Sequence, residues 1–205
     1  MRTNKFMKKQ IMIALAQLNP HLGNVDKNIK KLAAARAAAA EKGAHIIVTP
    51  EMYLSGYPCD DLLLRNDFMQ NIAAGIAELA KMSRDGGPTI VVGAPHNEGG
   101  KIFNSVFVLD NGQEIARRDK VRLPNYGVFD DKRNFSPGAM PGPIMLHGYK
   151  IGFPICEDVW EADVVECLEE SGADLIVSIN ASPFDLTKFE RRLSMAVSRN
   201  VECNL

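Results

Sequence analysis

Two short apolar runs, residues 11–17 and 45–50, bracket an alanine-rich segment (24–42) in which Ile29, Leu32, Ala33 and Ala37 recur at helical spacing and Gly43 marks the stop. Continuous apolar runs of this length suit strands buried on both faces, and the helix between them makes a strand-helix-strand unit. A chain that begins this way is committed to a parallel or mixed sheet covered by helices, the α/β class. The pattern then continues. Asp60 or Asp61 is placed to cap a helix over residues 62–83, with Phe68, Ile72, Ile76 and Leu79 on one stripe, and residues 89–95 read as a third buried strand. Asn111-Gly112 is a strong hairpin signal between runs 103–110 and 114–120. Residues 121–143 read as a long ordered loop, 150–155 as a strand, 159–171 as a helix, 174–180 as a strand and 188–204 as a helix.

At 205 residues and 46% hydrophobic, the chain can bury one sizeable core, and we expect a single domain over 1–205. A formal net charge of −1, with acids and bases interspersed, argues against nucleic-acid or anionic-membrane partners. No apolar run approaches the roughly twenty residues that span a bilayer, and the basic first nine residues precede too broken an apolar segment for a secretory signal. A cytoplasmic location is expected. Cys59, Cys156, Cys167 and Cys203 are too dispersed, and too poorly accompanied by histidine, for a zinc framework, so no metal site is expected and a reducing compartment fits them. The last residues carry no turn or capping signal that would close a domain, so the domain is expected to be incomplete at its C-terminus.

Three positions stand where chemistry is usually found. Cys156 ends the run 150–155 at an expected strand-to-helix corner, where unpaired backbone N–H groups favour a thiolate or an oxyanion. Taken alone, that stretch fits a packed core cysteine better. Glu51 directly follows the second strand, at the carboxyl end where open α/β sheets place their sites, although alone it reads as a solvated loop carboxylate. Lys120 closes the second hairpin strand.

With these three in order, the chain resembles the nitrilase, or carbon–nitrogen hydrolase, superfamily, whose members carry a Glu-Lys-Cys triad on an αββα sandwich. The resemblance covers about residues 11–205 and rests on Thr49-Pro-Glu-Met-Tyr, Arg118-Asp-Lys-Val-Arg-Leu-Pro and Ile155-Cys-Glu-Asp-Val-Trp. Ser55-Gly-Tyr-Pro-Cys-Asp-Asp-Leu and Leu123-Pro-Asn-Tyr-Gly-Val-Phe-Asp-Asp-Lys-Arg are similar to one branch, the glutaminase domains of glutamine-dependent NAD⁺ synthetases. Cys59 and Asp60 depart from that branch's usual text, and Asp131 stands where the superfamily tends to have an auxiliary glutamate.

The resemblance implies a glutamine amidohydrolase. Cys156 would be the nucleophile and Glu51 the proton acceptor, while Lys120, with backbone N–H groups near Glu157, would hold the oxyanion. The neighbouring ammonium should lower the thiol pKa. Tyr126, Ser182 and Lys188 would hold the substrate, with Ser182 and Lys188 at its amino-acid end. The bare residues also allow other readings: an aromatic loop anchor for Tyr126, a turn-forming serine before Pro183, a solvated helix-start lysine. Ammonia would pass to a separate synthetase domain binding ATP, Mg²⁺ and deamido-NAD⁺. That domain is absent from this chain, which has no Gly-rich phosphate loop and so needs no cofactor of its own. Homo-oligomers through helical faces are expected by the same resemblance. The alternatives are a stand-alone amidase or carbamoylase of the superfamily, or an inactive assembly module.

Overall fold

A computed structural model describes residues 10–203 of the chain. The opening unit forms as β1 (Ile13–Leu15), α1 (Val25–Glu41) and β2 (Ile46–Val48), with β1 and β2 parallel. Asn24 starts α1 by accepting the Lys27 N–H at 3.0 Å, satisfying one of the helix's orphan donors. After α2 (Asn66–Met82), β3 (Thr89–Glu98) joins β2 in parallel. The chain then turns back twice through β4 (Lys101–Asp110) and β5 (Gln113–Asp119), the second time at Asn111-Gly112, both with positive φ as a tight hairpin demands. The first sheet is thus mixed, in the order β1-β2-β3-β4-β5. A second sheet has β6 (Ile144–Leu146) antiparallel to β7 (Tyr149–Gly152), which is parallel to β8 (Leu175–Ile176).

Side-chain alternation along the strands builds the layers. Ile47, Ile90, Val92, Phe107 and Leu109 point to one face of the first sheet, where they pack with Ile29 and Leu32 of α1 and Ile72, Ile76 and Leu79 of α2. Their neighbours Ile46, Val48, Val91, Val106 and Val108 point the other way, onto Ile144, Leu146, Ile151, Phe153, Val177 and Ile179 of the second sheet and its extensions. On that sheet's outer face, Val165 of α4 (Ala162–Glu170) and Met195 and Cys203 of α5 (Lys188–Cys203) cluster with Ile176. The result is a four-layer αββα sandwich, the fold class expected.

Four local expectations change. The aspartates at 60 and 61 begin a 3₁₀ helix over Asp60–Leu64, and α2 starts only at Asn66, because Arg65 is extended. The long loop carries a one-turn helix, α3 (Asp131–Asn134). The hairpin strand β6 lies beyond the expected loop and was not anticipated. Regular pairing of the last strand covers only Leu175–Ile176, plus a parallel bridge between Ile155 and Ile179. The expected C-terminal helix ends at Cys203 within the described residues. Among those residues, no helix is long and apolar enough to cross a membrane.

Candidate active site

The ends of β2, β5 and β7 converge on one point between the two sheets. Glu51 follows β2 in a turn whose backbone lies hard against β3: Leu54 N–H donates to the Gly93 carbonyl at 3.0 Å, and Gly93 N–H donates to Thr49 Oγ1 at 3.2 Å. A Cβ on Gly93 would come within 2.6 Å of both Met52 N and the Pro50 carbonyl oxygen, so only glycine admits this approach. Met52, beside Glu51, takes the left-handed φ of 52°. Gly93→Ala is therefore expected to push the Glu51 turn off the strand, costing roughly 1–3 kcal/mol of stability and lowering turnover about 10²-fold. Urea unfolding and amide-hydrolysis rates on the same sample check both effects.

Lys120 follows β5, its N–H donating to the Asn104 carbonyl and its own carbonyl accepting from Gly138 N–H, each at 2.8 Å. This backbone clamp feeds the side chain into the interior at 1% exposure. Its Nζ donates to Glu51 Oε1 and to Asp131 Oδ2, both at 2.8 Å. Glu51 is no solvated loop carboxylate: it is buried, and also accepts from Asn104 Nδ2 at 2.8 Å and from Ala181 N–H at 2.9 Å. Asp131, on α3, reaches Lys120 despite its short side chain because Tyr57 holds it from the other side, the hydroxyl donating to Oδ1 at 2.8 Å. Burial alone would pull the Lys120 pKa down, but the Glu51 and Asp131 charges outweigh it and hold the ammonium above the ordinary lysine range.

Cys156 sits at a sharp corner with φ of 48°, a left-handed conformation that costs an ordinary residue about 1–3 kcal/mol. The chain continues into a 3₁₀ turn, Cys156–Val159, rather than straight into an α-helix. Two features keep the strained corner. Cys156 N–H donates to the Ile179 carbonyl at 2.9 Å. Buried Asp158 accepts Ile155 N–H on Oδ2 (2.9 Å) and both Val121 and Arg122 N–H on Oδ1 (3.0 and 2.7 Å), fastening the segment after Lys120 to the cysteine corner. Burial raises the Asp158 pKa to about 6, with the three backbone donors holding it back, so it is ionised at neutral pH.

The expected lowering of the thiol pKa does not hold. Burial, then the Glu51 charge, pushes Cys156 up to about 12, and Lys120 only partly offsets them. Both effects favour the protonated form of Cys156. Its Sγ lies 3.6 Å from Ser182 Oγ. Cys156 also borders a cavity of about 290 Å³ that Tyr126, Glu157, Ser182 and Lys188 line as well. Tyr126 donates its hydroxyl to both Glu157 carboxylate oxygens at 2.9 and 3.0 Å. Lys188 Nζ lies 5.7 Å from the centre of the Phe129 ring. All eight residues singled out in the sequence thus gather around one cavity and the buried charge cluster behind it. Ser182 stands against the sulfur rather than only at the cavity's far end. Sequence reading missed Asn104, Tyr57, Asp158 and Gly93. Tyr57 and Asp158 lie inside quoted motifs that give them no role of their own, while Asn104 and Gly93 carry no signal beyond their strands.

Cysteine, lysine and two carboxylates gathered on an αββα sandwich fit the carbon–nitrogen bond hydrolase class. The carbon–nitrogen hydrolase family profile matches residues 12–203, and the chain belongs to that family. It is 36% identical over 199 residues to the glutamine-dependent NAD⁺ synthetase of Rhodobacter capsulatus, covering 97% of this chain and 36% of that protein. Against the synthetase of Aquifex aeolicus it is 38% identical over 188 residues, covering 91% and 33%. The chain therefore spans about a third of the length of these relatives. Among solved structures, the glutamine-dependent NAD⁺ synthetase from Acinetobacter baumannii, in complex with ADP, superposes with a TM-score of 0.89 at 34% identity, over 94% of this chain and 36% of that one. An amidase from Nesterenkonia sp. superposes at 0.85 with 26% identity, over 97% and 74%.

Proposed function

We infer that the chain is the glutamine amidohydrolase part of a glutamine-dependent NAD⁺ synthetase. The observation that carries this reading is the placement of Cys156 Sγ at the edge of a cavity that Tyr126, Glu157, Ser182 and Lys188 line, with the buried Glu51–Lys120–Asp131 cluster behind it. The polar groups suit the two ends of an amino acid: the Lys188 ammonium for the glutamine carboxylate, and the Glu157 carboxylate for the amino group.

As Sγ attacks the side-chain carbonyl carbon, its proton passes to Glu51 and the carbonyl oxygen becomes an oxyanion. Lys120 has three N–H donors, two of them already given to Glu51 and Asp131, which leaves one for that oxygen. The Cys156 N–H is spent on Ile179, so the backbone share of the oxyanion site falls to Glu157 N–H. The oxyanion collapses, the C–N bond breaks and Glu51 returns the proton to nitrogen, releasing ammonia. Water, deprotonated by Glu51, then attacks the thioester; the C–S bond breaks, glutamate leaves and the thiol regains its proton.

The ammonia would serve a synthetase domain, where ATP, Mg²⁺ and deamido-NAD⁺ would bind; this chain would need no cofactor itself. We further expect a cytoplasmic protein and a homo-oligomer, the latter supported by the exposed stripe Phe189, Leu193, Val197 and Val201 on α5. The Nesterenkonia amidase likeness supports a second reading, hydrolysis of simple amides. Glutamate and ammonia release from glutamine, compared with release from aliphatic amides, separates the two. The glutaminase reading predicts kcat/KM for glutamine at least about 10²-fold above that for butyramide, because a site built for charged ends rejects ligands lacking them. The reverse order supports the amidase.

A further inference from the structure

Asn104 is fully buried on β4, yet among the described residues one of its two side-chain polar atoms has no partner. Its Nδ2 donates to Glu51 Oε1 at 2.8 Å, while Oδ1 is buried with no hydrogen-bond partner among the described residues. A buried, unsatisfied carbonyl carries a desolvation cost that nothing repays. Packing does not account for that cost, since leucine has a similar size and carries no polar atom. Aspartate would set a third carboxylate beside Glu51 and Asp131. Turning the amide over would aim Oδ1 at the Glu51 carboxylate, oxygen against oxygen, so the orientation is dictated by Glu51. The side chain is held for its donor.

That donor has a specific consequence. Among the described residues, Glu51 Oε1 receives two donors, Lys120 Nζ and Asn104 Nδ2, whereas Oε2 receives the Ala181 N–H. Proton transfer from a thiol needs an oxygen with a free lone pair in the right direction, and Oε1 is saturated. We propose that Asn104 is a positioning residue that, through its hydrogen bond to Glu51, locks the carboxylate so that Oε2 is the proton-accepting oxygen. Asn104 also receives the Lys120 N–H on its backbone carbonyl, so one strand position sets both the base and the cation. The proposal rests on the amide-hydrolase reading of the site but not on the identity of the amide.

The test compares Asn104→Leu with the unaltered chain in urea midpoint, in kcat and KM for glutamine, and in the pH dependence of kcat/KM. The same pH series follows carbamidomethylation of Cys156 by mass spectrometry, which needs no substrate and so separates a failure of this proposal from a failure of the glutaminase reading. Asn104→Leu is expected to keep or raise the urea midpoint while kcat falls about 10- to 100-fold and KM changes less than about threefold. The acid limb of both pH profiles should move to higher pH, because losing a donor makes a carboxylate easier to protonate. Should the leucine variant not fold, Asn104→Ser against Asn104→Ala makes the same comparison, with the hydroxyl donor recovering most of the rate and the methyl none. Unchanged kcat and profiles, or a rate loss with both acid limbs unmoved and no recovery by serine, would overturn the proposal.

Discussion

Lys120→Met is expected to abolish turnover, by at least about 10³-fold, and to destabilise the fold by about 3–5 kcal/mol. Lys120 is buried with Glu51 and Asp131, each carboxylate 2.8 Å from its Nζ. Methionine fills similar space but leaves two buried carboxylates with no cation between them, the costly half of a broken buried ion pair. The pH dependence distinguishes this from a packing defect. In the unaltered protein the lysine pKa is raised on folding, so its contribution is complete below the unfolded lysine range near pH 10 and is lost only as pH rises through the still higher folded value. The variant lacks that titrating contribution, so its deficit should shrink as pH rises above the unfolded lysine range. Urea denaturation of both proteins at pH 8 and about pH 11 measures it; an equal deficit at both would assign the loss to packing.

Cys156→Ala is expected to remove glutamate release by about 10⁴-fold or more while leaving glutamine binding nearly unchanged, because Tyr126, Glu157 and Lys188 remain around the cavity. The raised thiol pKa adds a signature. A group protonated in the fold up to about pH 12 favours the native state below the unfolded thiol range and loses that contribution as pH rises through it. Cys156→Ala should therefore unfold less readily than the unaltered chain in the alkaline range, with relief of the left-handed strain unchanged by either residue. Calorimetry at pH 7 and pH 10 reads the difference.

Much of this architecture is legible in the sequence because its signals are local. The apolar runs that became β1 to β3, the Asn111-Gly112 turn and the stripe on α2 each follow from short-range chemistry. Glu51, Lys120 and Cys156 each stand just past a strand, which is why a linear reading could find them. What it misjudged depends on neighbours distant in the chain. Glu51 reads as a loop carboxylate until Asn104, Lys120 and Ala181 close around it, from 53, 69 and 130 positions away. The thiol pKa was expected to fall because a lysine stands beside it; the same fold that brings the lysine also buries the sulfur and turns Glu51 towards it, and those effects win. Asp158 looks like a turn residue because its three partners are backbone N–H groups, which leave no mark in the sequence.

The account turns on Cys156 attacking a glutamine-shaped amide. The most direct measurement is to treat the chain with a glutamine analogue carrying an α-chloroketone in place of the amide, from which the sulfur displaces chloride, and to map the adduct by peptide mass spectrometry with and without excess glutamine. The account predicts one adduct, on Cys156, with Cys59, Cys167 and Cys203 unmodified, suppressed by glutamine and absent after Glu51→Gln. Labelling on Cys167 that glutamine does not suppress, or an unmodified Cys156 in a chain that still releases glutamate, would contradict it.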